Sequence, residues 1–181
     1  MKSKAKTQAG AAPRLYVHNV KTPFGEVQLA ATERGVCRIT LPGPHAGVSL
    51  HSEIAGSALR NHQVVTGGAE NRKAAAQIKE YFNRKRTKFS FKIDLHAEGF
   101  KRKTLLDGVM KIPYGQTRSY GEVAAMVGNP RACRAVGNAN ATNPLPLVIP
   151  CHRVVAAHGL GGYGGGEALK KRLLELEGAT Y

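Results

Sequence analysis

Residues 119–142 constrain the fold more than any other stretch of this chain. Ser119-Tyr120-Gly121-Glu122 has the SxxE spacing in which a serine hydroxyl and a glutamate carboxylate each satisfy an orphan N–H of a first helical turn. That spacing predicts a helix to about Val127, which Gly128 ends and the Asn129-Pro130 pair turns away, because proline cannot extend a helix. A second short helix is predicted from Arg131 to about Ala141, so the two make a helix-turn-helix pair. In the second helix Ala132, Ala135, Gly137, Ala139 and Ala141 leave a nearly bare surface, on which Arg134 is the one long side chain near the middle. Such a helix can approach another surface closely; alternatively its alanines pack against the first helix and Arg134 is solvated.

The flanking sequence divides in two. Residues 14–20 and 26–31 have the branched, alternating character of strands, with Lys21 to Gly25 (KTPFG) supplying the hairpin. Gly35 to Leu41 reads as a third strand, and alternation places Cys37, Ile39 and Leu41 on one face, which makes Cys37 a core residue. Residues 42–68 show no periodicity and read as a long connection in which His45, His51 and His62 are exposed loop residues. Ala69 to Asn83 reads as a helix with Ile78, Tyr81 and Phe82 along one side, followed by a short strand candidate at Phe89 to Ile93. From Glu98 the spacing of Phe100, Leu105, Leu106, Val109, Met110 and Ile112 is helical until Pro113, Tyr114 and Gly115 stop it. The expected class is α+β: a mobile basic tail (1–13), a small β-rich α/β domain (14–97) and a helical domain (98–181) carrying the helix-turn-helix and a buried-cysteine site.

Charge narrows the partners. The chain carries a net +15, and residues 70–103 hold +7 of it. A folded polycation favours polyanions, nucleic acid first and anionic membrane second. Arg84, Lys85, Arg86 and Lys88, then Lys101, Arg102 and Lys103, form either a phosphate-facing rim or a solvated helix end and loop. No apolar run approaches the roughly 20 residues of a membrane helix, and the opening MKSKAKTQAGAAP has no signal-peptide core. An intracellular protein is expected, cytoplasmic if the source is prokaryotic. Cys37, Cys133 and Cys151 have neither disulfide-framework nor zinc spacing, so each thiol is core filler or chemistry.

Residues 143–155 (NPLPLVIPCHRVV) deliver Cys151 at the end of an apolar segment, with His152 and Arg153 directly after it. A partly buried thiol needs a nearby base or positive charge to become a thiolate. Neighbours in an extended chain point to opposite sides, so His152 reaches Cys151 only through a bend or a bridging water. Ala156 to Gly166 (AAHGLGGYGGG) follows, a loop whose glycines let backbone approach a planar ligand, with Tyr163 its one aromatic. A helix from Glu167 to Glu177, stopped by Gly178, closes the pattern.

In order, SYGEVA, GNPRACRAVGNANATNP, PLVIPCHRVV, GGYGGG and a last helix with LLELEGA resemble the O6-alkylguanine-DNA alkyltransferases over about residues 98–181, while the preceding half is similar only in size and element order. The resemblance implies that Cys151 accepts an alkyl group once and irreversibly, that His152 is the base acting on it through a water, and that Glu177 orients His152. It also implies that Asn143 braces the turn before the nucleophile and that Tyr120 rotates the 3′ phosphate and donates a proton toward guanine N3. Arg134 would fill the gap left by the flipped nucleotide while its helix lies in the minor groove. Val154, Tyr163 and Gly164 would line the base pocket, and Gly121, Asn129 and Ala157 would touch the DNA backbone. The implied partner is duplex DNA carrying O6-alkylguanine, with the protein a monomer and no cofactor. Gly164 replaces a hydroxyl residue of some relatives, and the zinc ligands of some animal members have no counterpart, so no metal is expected. The competing readings are an alkyltransferase-like protein that binds the lesion without accepting its alkyl group, which lacks the cysteine, and a cysteine hydrolase, which requires an oxyanion pocket.

Overall fold

The computed structural model describes residues 12–43, 50, 54 and 59–181. Most of the expected basic tail, together with His45 and His51, lies outside the described residues. The N-terminal half is a four-stranded sheet in the order β3-β2-β1-β4, formed by β1 (Arg14–Thr22), β2 (Gly25–Thr32), β3 (Gly35–Thr40) and β4 (Gln63–Thr66). The hairpin is tighter than KTPFG suggests: only Pro23 and Phe24 lie between Thr22 and its partner Gly25. The Thr22 hydroxyl holds it, donating to the Gly25 carbonyl at 2.6 Å and accepting the Phe24 N–H at 3.2 Å. Strand β4 pairs parallel to β1 inside the stretch expected to be a long connection, part of which is thus ordered. His62, just before it, is half-buried rather than an exposed loop residue. The expected strand at Phe89 to Ile93 is reduced to a single bridge between Val36 and Ile93.

A bulge in β3 overturns the expected common face for Cys37, Ile39 and Leu41. Ala30 pairs with Arg38 but Ala31 pairs with Val36, leaving Cys37 as the extra residue. An inserted residue reverses the side-chain alternation beyond it. Val36 and Ile39 therefore both enter the main core, while Cys37 packs on the opposite side with Leu15, Ala30, Leu50, Ile54 and Leu59. Cys37 is a core residue, as expected; burial and then the charge of Asp94 push its thiol up to about 12.

Helix α1 (Ala69–Phe82) packs on the sheet through Ala74, Ile78, Tyr81 and Phe82. The C-terminal half begins with α2 (Gly99–Lys103), which widens by one residue per turn over 104–108 and tightens over 109–111. This replaces the uniform helix predicted from spacing, and Met110 faces outward. At Gly108 the widened turn meets the next helix so closely that a Cβ would lie 3.0 Å from Val123 Cγ1 and 3.1 Å from Val127 Cγ1. Helices α3 (Tyr120–Met126), α4 (Cys133–Ala141) and α5 (Glu167–Glu177) follow, with a two-stranded parallel pair between β5 (Arg118–Ser119) and β6 (Val154–Val155). One hydrophobic core runs through both halves, joining Val36, Ile39, Ile78 and Tyr81 to Leu105, Val123, Leu145 and Leu173. No helix among the described residues is long and apolar enough to cross a membrane.

Candidate active site

The capping box forms as the sequence dictates: the Ser119 hydroxyl accepts the Glu122 N–H at 3.2 Å, and the Glu122 carboxylate accepts the Ser119 N–H at 2.6 Å. This fixes Tyr120 at the start of α3. Helix α4 starts at Cys133, two residues later than predicted, and turns Val136 and Ala139 into the core. Ala139 is thus not part of the bare surface; Arg131, Arg134, Ala135, Asn138 and Ala141 are exposed.

Asn143 organises the turn that follows. Its Oδ1 accepts the Leu145 N–H at 3.0 Å, and its Nδ2 donates to the Ile149 carbonyl at 2.7 Å and to Cys151 Sγ at 3.2 Å. Within the turn Leu147 adopts a φ of +73°, a conformation that costs a non-glycine residue on the order of 1 kcal/mol, and its fully buried side chain holds it there. The chain through Cys151 is not extended. Arg153 N–H donates to the Pro150 carbonyl at 2.9 Å, closing one tight helical turn over Cys151–Arg153. Three residues in such a turn fan out around the axis instead of alternating. Cys151 therefore faces a cavity while His152 and Arg153 are buried behind it.

The buried side is built on Glu177, at the end of α5. Its carboxylate accepts five hydrogen bonds: Tyr81 Oη at 2.7 Å, His152 Nε2 at 2.8 Å, Arg153 Nε and Nη2 at 2.8 and 2.9 Å, and the Gly115 N–H at 3.2 Å. Burial alone would push this carboxyl up, but the hydrogen bonds from His152 and Arg153 outweigh it and hold the group at about 2. His152 is fully buried, and burial carries its imidazole below the usual range despite the carboxylate. It is neutral at pH 7, so the hydrogen-bond network assigns the proton to Nε2, facing Glu177. Nδ1 is left with its lone pair, buried and without a hydrogen bond among the described residues. No hydrogen bond joins the imidazole to Cys151. Burial raises the Cys151 thiol above its ordinary pKa, and the Asn143 amide offsets only part of that.

The cavity in front of Cys151 has two lobes that share Asn140, Ala141, Cys151, Tyr163 and Gly164. The lobe of about 300 Å³ is completed by Tyr120, Gly137 and Gly162, and the Tyr120 hydroxyl donates to the Gly162 carbonyl at 3.4 Å. Burial and then Cys151 raise the Tyr120 phenol, leaving it a proton donor at neutral pH. Asn140 Nδ2 and Oδ1 and the Tyr163 hydroxyl are buried with no partner among the described residues. Val154 does not line the cavity as expected: its side chain is fully buried in the core, because β6 turns it inward beneath β5. Asn129 and Ala157 are exposed, Gly121 is half-buried beside Cys133, and all three lie outside the cavity with Arg134.

Three participants were not read from the sequence. Arg153 and Tyr81 complete the carboxylate cage, and Lys170, fully buried on α5, donates to the carbonyls of Val154 (2.6 Å), Leu160 (2.5 Å) and Gly162 (3.4 Å). Burial lowers that ammonium to about 8, against the pull of Cys151 and Glu167. A lysine three residues into an amphipathic helix gives no local sign that its head is enclosed; only the excess of loop carbonyls upstream could have pointed to it. Of the basic clusters, Arg86 is engaged by Glu80 and by the Lys88 carbonyl. No group of three or more His, Cys, Asp or Glu side chains able to hold a metal ion occurs among the described residues.

Comparison with known proteins gives matches on both halves. Residues 100–179 match the DNA binding domain of 6-O-methylguanine DNA methyltransferase, and residues 15–95 match its ribonuclease-like domain. A methylated-DNA--protein-cysteine methyltransferase of Methanosarcina acetivorans is 35% identical over 166 residues, spanning 91% of this chain and 99% of that protein. Its counterpart in Mycolicibacterium paratuberculosis is 48% identical over 117 residues, 62% of this chain and 70% of that one. The crystal structure of Mycobacterium tuberculosis OGT in complex with DNA superposes with a TM-score of 0.75 at 34% identity, covering 90% of this chain and 92% of that one.

Proposed function

The chain belongs to the 6-O-methylguanine DNA methyltransferase family, and from that premise we propose that it repairs DNA by moving the alkyl group of O6-alkylguanine onto Cys151. In this reading His152 Nδ1 takes the thiol proton through one bridging water, and the sulfur attacks the alkyl carbon. The S–C bond forms as the C–O6 bond breaks, and Tyr120 protonates guanine N3 as the base leaves. Glu177 stays ionised throughout; it fixes the imidazole tautomer and stabilises the imidazolium that forms. The raised thiol pKa makes the resting state a thiol, so thiolate appears only when the relay is engaged. The thioether product is stable and no residue among those described is positioned to remove it, which makes the reaction a single event per molecule.

Flipping precedes transfer. Helix α4, with its small exposed residues, enters the minor groove, and Arg134 fills the gap in the stack; Gly121, Asn129 and Ala157 contact the backbone. The lobe lined by Tyr120, Tyr163 and Gly164 takes the base, whose polar edge meets the Asn140 and Tyr163 groups that have no partner among the described residues.

One observation carries the reading: a buried thiol opens on the cavity while the histidine beside it in sequence is locked from behind by a carboxylate. The test is mass spectrometry after mixing the protein with duplex DNA containing O6-methylguanine. One methyl per molecule is expected, on the peptide containing Cys151. Cys151→Ser should still bind the duplex and gain nothing. Repeated turnover, or a methyl on Cys37 or Cys133, overturns the assignment.

A further inference from the structure

A groove of about 390 Å³ shares no lining residue with either lobe of the reaction cavity, and the chemistry above does not use it. Part of its lining is the outer side of the carboxylate cage. Arg153, which donates to Glu177 and to the Ile112 carbonyl at 2.7 Å, lines it together with Ile112. Leu147 and Val148 bring in the turn that precedes Cys151, and Phe89 and Met110 add apolar surface from either side of the junction between the two halves.

Two properties determine what fits. Met110 is 37% exposed, one of the four large apolar side chains exposed among the described residues, and it stands beside the half-buried Phe89, Tyr114 and Val148. A methionine among such rings and branched chains makes an apolar floor that adapts to the shape of a guest. The charged residues that line the groove are all cations. Arg153 is committed to Glu177, but the Lys88 and Lys111 side chains are exposed and have no ion pair among the described residues. Arg84, whose charge reaches the Tyr114 phenol, adds to the same positive field. Duplex DNA offers phosphates without an apolar group to cover the floor, and a simple anion leaves the floor in water. A peptide with an apolar side chain next to carboxylates satisfies both, and the volume lies in the range of about 300–1,000 Å³ typical of ligand pockets. We propose that this groove docks a short acidic segment of a partner protein, its apolar side chain on Phe89, Met110 and Val148 and its carboxylates on Lys88 and Lys111. None of the residues assigned above to DNA or to the reaction lines the groove, so partner and DNA are held at the same time.

The experiment is titration calorimetry of the full-length chain with two peptides of equal charge, EDDLF and EDDSS, with thermal melts to confirm that each variant is folded. EDDLF should bind wild type, and EDDSS, which lacks the apolar anchor, should bind at least about tenfold more weakly. Lys111→Glu sets like charges against each other and should weaken EDDLF by at least about tenfold. Lys73→Glu changes the net charge equally from an exposed position on α1 outside the groove and should weaken it by less than about threefold. Met110→Asp supplies a second groove variant should Lys111→Glu not fold, with the same expected loss. Saturating unmodified duplex DNA should leave the EDDLF affinity within about threefold. Failure of folded wild type to bind EDDLF overturns the proposal. Equal binding of the two peptides overturns the apolar anchor, equal losses in Lys111→Glu and Lys73→Glu reduce the effect to net charge, and displacement by duplex assigns the groove to nucleic acid; each of these outcomes also overturns it.

Discussion

On the core side of Cys151 the Glu177 carboxylate accepts five hydrogen bonds, and of the side chains that cage it only His152 keeps a buried polar atom without a partner among the described residues, Nδ1, the one that must move a proton. On the cavity side both polar atoms of the Asn140 amide and the hydroxyl of Tyr163 are buried without a partner among the described residues. The same few ångströms of protein thus follow opposite rules. A buried polar group left unpaired costs about 1–3 kcal/mol, so the core side is where stability resides and the cavity side is where it is given up. A site arranged this way holds its catalytic groups rigid from behind and presents to the cavity hydrogen-bonding groups that no described residue satisfies.

The sharpest way to break this contrast is Glu177→Gln. It leaves the Arg153 guanidinium buried without its counter-charge, and uncompensated buried charges of this kind cost about 3–5 kcal/mol. At roughly 2–4 °C per kcal/mol, the melting temperature should fall by on the order of 10 °C. A loss of less than about 1 kcal/mol, near the average for any substitution, would mean that the cage is not where the stability lies.

Acid tests the same side without mutation. A carboxyl held at about 2 against an ordinary value of 4.5 contributes its stability above pH 4.5 and loses it as pH falls toward 2. At 1.36 kcal/mol per pH unit the amount is about 3 kcal/mol. His152, also held below its ordinary value of 6.5, adds to the loss as pH falls below 6.5. Denaturant unfolding measured from pH 7 to 2.5 should show this decline in wild type and a flatter one in Glu177→Gln. Parallel curves would remove Glu177 as the main acid-sensitive group.

Tyr81→Phe takes away one of the five hydrogen bonds and leaves four. A hydrogen bond to a charged group contributes about 1.5–3 kcal/mol, and the remaining donors place the expected cost near the lower figure, with a melting point lower by about 3–6 °C. Chemical denaturation gives the free energy directly; no change would show that Arg153, His152 and the Gly115 N–H hold the carboxylate without Tyr81. The smallest effect belongs to the cavity side. Tyr163→Phe removes a hydroxyl that has no partner among the described residues, so stability should stay within about 0.5 kcal/mol or rise, while transfer from alkylated DNA slows. Destabilisation beyond about 1 kcal/mol would erase the difference between the two sides.

Much of this architecture is written locally. The Ser119 to Glu122 cap, the breaks at Gly128 and Gly178 and the buried face of α1 depend on residues within a few positions of one another, and each forms as its spacing dictates. What escapes local reading is set by pairing across distance. The bulge at Cys37 exists only relative to β2, β4 becomes a strand only because β1 offers an edge, and β5 and β6 are two-residue strands that define each other. The site divides in the same way. Cys151 and His152 announce themselves by adjacency and by the family pattern around them. Tyr81 and Lys170 sit in ordinary amphipathic helices, where nothing nearby distinguishes a hydroxyl or ammonium bound for the site from one bound for solvent. Arg153 was visible as a residue and not as a function, because a tight turn rather than an extended strand sends it to Glu177.

The hydrogen bond from Tyr81 to Glu177 joins residues 96 positions apart. Helices form in microseconds or less, whereas contacts of such separation wait for the chain between them to be organised. During that interval Cys151 is an ordinary thiol in a helical chain, with neither an oriented imidazole nor a finished cavity. Reactivity is therefore the last property the molecule acquires as it folds, and on refolding from denaturant the capacity for transfer should return after helicity does.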